Sequence, residues 1–299
     1  VELKVERMRA VRLHGEGVDT LSLDEIDVPK PGADDALVRV HAAGLTRDEL
    51  TWPTDRLPAI PSYELSGVVV EAPKESDLTA GDPVVALTPF DADGVAAEFA
   101  IVPSVVLAPK PTELSHVEAA SLPLAGLSAW QALLHHGRLE AGERVLVTGA
   151  VGGVGHLGTQ LARWCGARVV AAVAPGAERL ALELGAHEIL GETGSEPFDL
   201  VFDTAGGQAA ADGARRLRNG GRFVSVAEEP ADVPGGVSAT YFVTEPNREQ
   251  LGRILELAGS GEIRPRVDST FALGDARAAF ERTEARGKRG KVVLRVAED

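Results

Sequence analysis

Apolar and polar positions along the chain follow two different rhythms. Up to about residue 102, short apolar-rich runs ("MRAVRL", "LSLDEIDV", "ALVRVHAAG", "LSGVVVEA", "DPVVAL", "AAEFAIV") are separated by the turn-forming stretches "PKPGADD", "PAIPSYE" and "TAGDP". That spacing predicts a small β-rich domain. From residue 115 the stretch "SHVEAASLPLAGLSAWQALLHH" places apolar residues at helical intervals. Four apolar runs of strand length follow, "VLVT", "RVVAAV", "DLVFDT" and "GRFVSV", with helix-like segments such as "AERLALELGA" and "QAAADGARRLRN" between them. Strands alternating with helices predict an α/β domain whose parallel sheet is covered on both faces. Helical character continues through "NREQLGRILELAGSG", and the tail ends in the strand "KVVLRV". That last strand would extend the parallel sheet poorly but could return to the first domain.

Composition narrows the functional classes. The 299 residues are 44% hydrophobic, enough for a sizeable core and for two ordinary domains. With 30 basic against 45 acidic residues the formal charge is −15, which disfavours nucleic acid and anionic membrane surfaces as partners and leaves small-molecule substrates. Cys165 is the only cysteine, so an intramolecular disulfide and multi-cysteine metal sites are excluded and a reducing cytoplasm fits. No run reaches the roughly 18 apolar residues of a membrane span. The opening "VELKVERMRAVRLHG" is too charged for a signal peptide, and Met8 is a candidate start.

The candidate chemistry is concentrated in "VLVTGAVGGVGHLGTQLARWCGARVVAAV". Here the fingerprint G-x-G-x-x-G takes the form Ala150-Val151-Gly152-Gly153-Val154-Gly155, between a β-branched strand and an amphipathic helix. The helix would carry Leu157, Leu161 and Cys165 on one face and His156, Gln160 and Arg163 on the other. A missing Cβ at Gly152 lets backbone approach a pyrophosphate, whose charge the helix N-terminus favours, and Gly155 lets helix and strand pack closely. The segment therefore predicts a dinucleotide site. NAD sites usually place Asp or Glu about 20 residues past the glycines, on the ribose hydroxyl. This chain has Ala174 there and Arg179 one helical turn beyond, where a guanidinium can pair with a 2′-phosphate, so NADPH is expected. Arg179 as a solvated helix residue, and Glu178 as a ribose ligand, stay open.

With "VRVHAAGLTRDEL", "IPSYELSGVV", "GDPVVAL", "AASLPLAGLSAWQAL", "VLVTGAVGGVG", "FDTAGG", "LRNGGRFVSV" and "RGKVVL" in order, the chain resembles the medium-chain dehydrogenase/reductase superfamily, in its zinc-free quinone oxidoreductase and enoyl reductase-like branch. The resemblance implies a GroES-like domain from residues 1–118 and 262–299, a Rossmann doubly wound sheet in 119–261, a cleft at their junction and a homodimer. Where the zinc-dependent branch has Cys and His ligands, Thr46 and Tyr63 stand, and no metal is expected. Both hydroxyls are candidate catalytic donors to a substrate oxygen, Tyr63 foremost, or else Tyr63 is packing. The resemblance also brings Ser128, Thr204, Ala205, Val226, Ala227, Phe242 and Val243 to the cofactor. Trp52 either lines the substrate pocket or covers the domain edge; Asp48 and Glu49 read as a solvated loop able to relay a proton. The implied function is NADPH-dependent hydride transfer to a quinone, enone or similar conjugated carbonyl. Zinc-free alcohol or ketone oxidoreduction and non-catalytic NADP binding are the alternatives.

Overall fold

Seven short strands come first in the computed structural model, which describes residues 5–52, 56–191, 196–230 and 233–298. β1 (Arg7–Leu13) and β2 (Leu21–Asp27) form an antiparallel pair. β3 (Asp35–Leu45), β4 (Glu64–Glu71), β5 (Pro83–Leu87), β6 (Phe99–Pro103) and β7 (Ala108–Pro109) build a larger sheet. α1 (His116–Ala120) then starts at a reciprocal cap: the Ser115 hydroxyl accepts the Glu118 N–H at 3.2 Å, and the Glu118 carboxylate accepts the Ser115 N–H at 3.0 Å.

α2 (Pro123–Trp130) runs into a π-helical turn, Gln131–His136, and the chain then alternates as expected. The order is β8 (Arg144–Thr148), α3 (Gly155–Trp164), β9 (Arg168–Ala172), α4 (Glu178–Glu183), β10 (Glu188–Ile189), β11 (Phe198–Asp203), α5 (Gly207–Ala214), β12 (Leu217–Ser225) and β13 (Ser238–Tyr241). All neighbours are parallel, in the order β10-β9-β8-β11-β12-β13. This is the strand order of dinucleotide-binding sheets, and it reverses direction between β8 and β11, the point beyond whose C-terminal strand ends such sheets bind their ligands. Every residue of β8 is buried, as a central strand covered on both faces requires. Leu146, Val170, Phe198, Val201 and Phe223 pack with Ala210 and Ala214 of α5.

The C-terminal segment adds α6 (Arg248–Gly259), β14 (Val267–Ala272), α7 (Ala276–Glu284) and β15 (Lys291–Arg295). β15 pairs with β3 antiparallel, Val292 opposite Leu45, so the tail does return to the first sheet, whose order is β14-β15-β3-β4-β5-β7 with β6 also on β3. Phe280 and Ala279 of α7 complete that sheet's core with Val38, Val40, Leu65 and Val102.

The chain divides into two units, one of residues 1–124, 246–260 and 265–299, the other of 125–245 and 261–264. The first division thus falls after Leu124, against the expected residue 118, and α6 joins the β-rich unit although the sequence reading gave it to the Rossmann part. Arg248 of α6 holds Asp77 through two hydrogen bonds of 3.0 and 2.6 Å, and Leu251, Ile254, Leu255 and Ala258 are buried. A second correction concerns α3. His156 and Gln160, expected on a polar face, are buried: His156 Nδ1 bonds the Gly152 carbonyl at 2.9 Å, and the Gln160 amide pairs with the Arg264 backbone at 2.8 and 3.0 Å. Polar side chains accept burial when their hydrogen bonds are met. No helix among the described residues is long and apolar enough to cross a membrane.

Candidate functional site

In the β-rich unit, strand register gathers one polar cluster. Gly44 of β3 lies opposite Glu64 of β4, and Leu45 lies opposite Val292 of β15. Three neighbouring strand ends therefore carry Thr46, Glu64 and Lys291 to one place. The Lys291 ammonium donates to Thr46 Oγ1 at 2.9 Å and is ion-paired with Glu64. Thr46 Oγ1 donates in turn to Glu64 Oε1 at 3.1 Å, and the other Glu64 oxygen accepts the Leu124 N–H at 2.9 Å. Lys291 and Glu64 are only 4% and 1% exposed, so the pair is desolvated. Thr46 has its one hydroxyl hydrogen committed to Glu64, which corrects its expected role as a donor to substrate.

Glu49 corrects the sequence reading again. It is buried, not solvated, on a short 3₁₀ turn, where one carboxylate oxygen accepts the Thr46 N–H at 2.9 Å and the other the Ser62 N–H at 3.1 Å. Burial pushes its pKa up to about 8, outweighing those bonds and the nearby Lys291 charge. Ser62 sits at φ +68°, an uncommon conformation for a residue with a side chain, and its hydroxyl donates to the Gly44 carbonyl at 2.8 Å. Glu49 and Gly44 thus hold the corner that presents Tyr63.

A raised carboxyl pKa has a definite sign in stability. From about pH 4.5 to 8 the unfolded chain releases the Glu49 proton while the native chain keeps it, so this group's contribution falls as pH rises. Each pH unit in that window is worth about 1.4 kcal/mol. The stability difference between the natural chain and Glu49→Gln, followed by urea unfolding, should therefore shift toward the variant from pH 5 to pH 8; a pH-independent difference would refute the assignment.

Tyr63 stacks on Trp52 at 5.8 Å between ring centroids, and Phe90 meets both rings edge-on at 5.2 Å. All three rings are half-buried. Burial, and then the Glu49 charge, raise the Tyr63 pKa, so the phenol keeps its hydrogen. Trp52 belongs to this aromatic cluster, and the hydroxyl of Tyr63 makes no hydrogen bond among the described residues.

Zinc does not fit this donor set. Thr46 and Tyr63 are not usual zinc donors, Glu64 is already engaged by Lys291, and the described residues hold no group of three His, Cys, Asp or Glu suited to a metal.

In the second unit the glycine turn has the geometry of a phosphate cradle. Gly149 leaves β8 at φ +60°, and Gly152 N–H closes the turn on the Gly149 carbonyl at 2.8 Å. The N–H groups of Gly153 and Val154 meet no acceptor among the described residues. α3 begins with no side-chain cap and no acidic residue in its first turn, so its positive end stays uncompensated. A Cβ on Gly155 would lie 2.1 Å from the Gly149 oxygen, whereas one on Gly152 would meet only that oxygen, at 3.1 Å. The first glycine serves helix packing and the second borders open space, as a pyrophosphate requires. Ala150 is buried behind the turn, its N–H on the Ala172 carbonyl at 3.3 Å.

Asp203, which the sequence reading did not single out, organises the strand ends around this turn. Its buried carboxylate accepts from Thr148 Oγ1 at 2.5 Å, Ser225 Oγ at 2.8 Å and the Gly206 N–H at 3.0 Å. The Thr204 hydroxyl donates to the Thr148 carbonyl at 2.7 Å, Ser225 Oγ accepts the Ala227 N–H at 3.1 Å, and the Val226 N–H reaches the Asp203 carbonyl at 3.1 Å. Thr204, Ala205, Val226 and Ala227 are thereby brought together. Ser128 is buried against Thr244, with 2.7 Å between hydroxyls; Phe242 packs on His136, and Val243 is 63% exposed. After β9, Ala174 is exposed and Glu178 accepts the Gly176 N–H at 2.8 Å. The Arg179 side chain is 93% exposed and bonded to Glu183 one turn on at 2.8 Å.

Comparison with known proteins agrees with this fold. Residues 32–112 match the model of the alcohol dehydrogenase GroES-like domain, and residues 176–294 match that of zinc-binding dehydrogenases. A probable mitochondrial zinc-binding oxidoreductase of Arthroderma benhamiae is 33% identical over 309 residues, covering 93% of each chain. The solved quinone oxidoreductase of Coxiella burnetii superposes with a TM-score of 0.88 at 28% identity, over 97% of this chain and 99% of its own. A cobalt- and zinc-bound thermostable alcohol dehydrogenase of Pyrobaculum aerophilum gives a TM-score of 0.86 at 27% identity, over 97% and 100%.

Proposed function

The chain belongs to the medium-chain dehydrogenase/reductase superfamily, a family of oxidoreductases, and we propose that it is an NADPH-dependent, zinc-independent reductase of quinones, enones or similar conjugated carbonyls. The observation that carries this reading is the uncapped glycine turn at the reversal point of the parallel sheet, beside strand ends fixed by Asp203. Those residues fit a dinucleotide, which when bound supplies a hydride. Hydride arriving at the conjugated carbon pushes an electron pair onto the carbonyl oxygen, where a hydrogen-bond donor lowers the barrier. Tyr63 is that donor: its phenol stays protonated and is uncommitted among the described residues, and solvent completes the protonation. Glu64 and Thr46, tied to Lys291, hold the strand ends beside it. The exposed Arg179, with no carboxylate at Ala174, supports NADPH over NADH. Likeness to a quinone oxidoreductase supports the acceptor class.

The test is NADPH oxidation against a panel of quinones, enals and simple ketones after dialysis against a chelator. Quinones or enals should be turned over with NADPH preferred to NADH, and Tyr63→Phe should lower kcat/KM about tenfold or more. A change within about twofold, under 0.5 kcal/mol of transition-state stabilisation, would remove Tyr63 from the chemistry. NADPH binding without turnover across the panel would make the chain a nucleotide-binding protein.

A further inference from the structure

Beyond β13 the chain leaves the sheet. The last rung is the Phe242 N–H on the Ser225 carbonyl at 3.3 Å. From there its polar groups are met by side chains of the helix that opens the second unit. The amide of Gln131 pairs with both backbone groups of Glu245, Nε2 donating to the carbonyl at 2.9 Å and Oε1 accepting the N–H at 3.1 Å. Three residues earlier, on the same helical face, Ser128 meets Thr244. Five residues later the His136 ring lies 4.3 Å from that of Phe242.

An α-helix would turn His136 well away from Gln131. The π-helical turn, closed by the Gly137 N–H on the Ala132 carbonyl at 2.8 Å, brings a residue five places on back toward the same side. One face therefore grips residues 242 to 245 at three points. Gln131 is buried, so its amide acts through Glu245 and not on a ligand directly.

We infer that Gln131 is a positioning residue for the nicotinamide half of the coenzyme: its two-point pairing with Glu245 fixes the extended segment that carries Phe242 and Val243 past the C-terminal end of β13, in the second mononucleotide-binding half of the sheet. The inference rests on the dinucleotide reading above. The adenosine half depends on other parts, the glycine turn and the loop after β9, so loss of the grip has a signature of its own.

The experiment compares binding of NADPH with that of its nicotinamide-free fragment 2′,5′-ADP, by titration calorimetry on the full chain, and records the melting temperature. Gln131→Met, which keeps the volume and removes both bonds, should weaken NADPH about fivefold or more and leave 2′,5′-ADP within about twofold. Gln131→Glu, which can accept from the Glu245 N–H but sets a buried carboxylate oxygen against its carbonyl, should weaken NADPH at least as much as Gln131→Met. Unchanged NADPH affinity in both variants, or NADPH and fragment weakening in parallel, would overturn the inference while leaving the dinucleotide reading intact. A natural chain that binds neither NADPH nor NADH would overturn the reading and the inference together.

Discussion

Lys291→Met is expected to cost about 3–5 kcal/mol of stability, because it leaves the Glu64 carboxylate buried without its counter-charge. The Leu124 N–H and the Thr46 hydroxyl remain as hydrogen-bond partners, but neither carries a charge. Removing the charge as well should restore much of the loss, so Lys291→Met with Glu64→Gln should be more stable than Lys291→Met alone. Urea unfolding of the two variants measures both effects. A single variant within about 1 kcal/mol of the natural chain, or a double variant with no recovery, would show that the pair does not hold β15 to β3 and β4 as argued.

Gly155→Ala should lose both fold stability and coenzyme affinity, since the new Cβ would sit 2.1 Å from the Gly149 oxygen and 2.7 Å from its carbonyl carbon. Backbone must move to admit it, at about 1–3 kcal/mol, and the turn that moves is the proposed phosphate cradle. NADPH affinity should drop about tenfold or more. Gly152→Ala separates the two effects. Its Cβ meets protein only at the Gly149 oxygen, 3.1 Å away, and otherwise enters the space assigned to the pyrophosphate. The melting temperature should therefore change less than in Gly155→Ala while NADPH binding is impaired at least as strongly. Equal affinities for all three chains would place the coenzyme elsewhere.

Periodicity revealed the four long strands of the second unit and the turn that follows β8, because a central parallel strand must be apolar throughout and the turn must be glycine-rich. It could not show which polar residues would be buried. Lys291 and Glu64 are 227 residues apart and meet only because the terminal strand pairs with β3. Glu49 reads as one acid in the charged run "TRDEL", and only the fold shows that its carboxyl oxygens accept two backbone N–H groups. The apolar stripe of α6 would suit either unit, and its contacts, including Arg248 with Asp77, decide the question. Tyr63 and the loops proposed to face the coenzyme are legible through resemblance; Asp203 and Gln131, which hold those loops by side-chain hydrogen bonds, have no local pattern to mark them.

The loop after β9 is fastened differently from the loops gathered by Asp203. Within it the Glu178 carboxylate accepts the Gly176 N–H, whereas β8, β11 and β12 share the Asp203 carboxylate. In the proposed reading, the part that recognises the adenosine ribose can be exchanged without disturbing the part that aims the hydride. On that reading coenzyme choice becomes a replaceable module, and exchange of Ala174 to Arg179 should change it while leaving the strand ends around Asp203 in place.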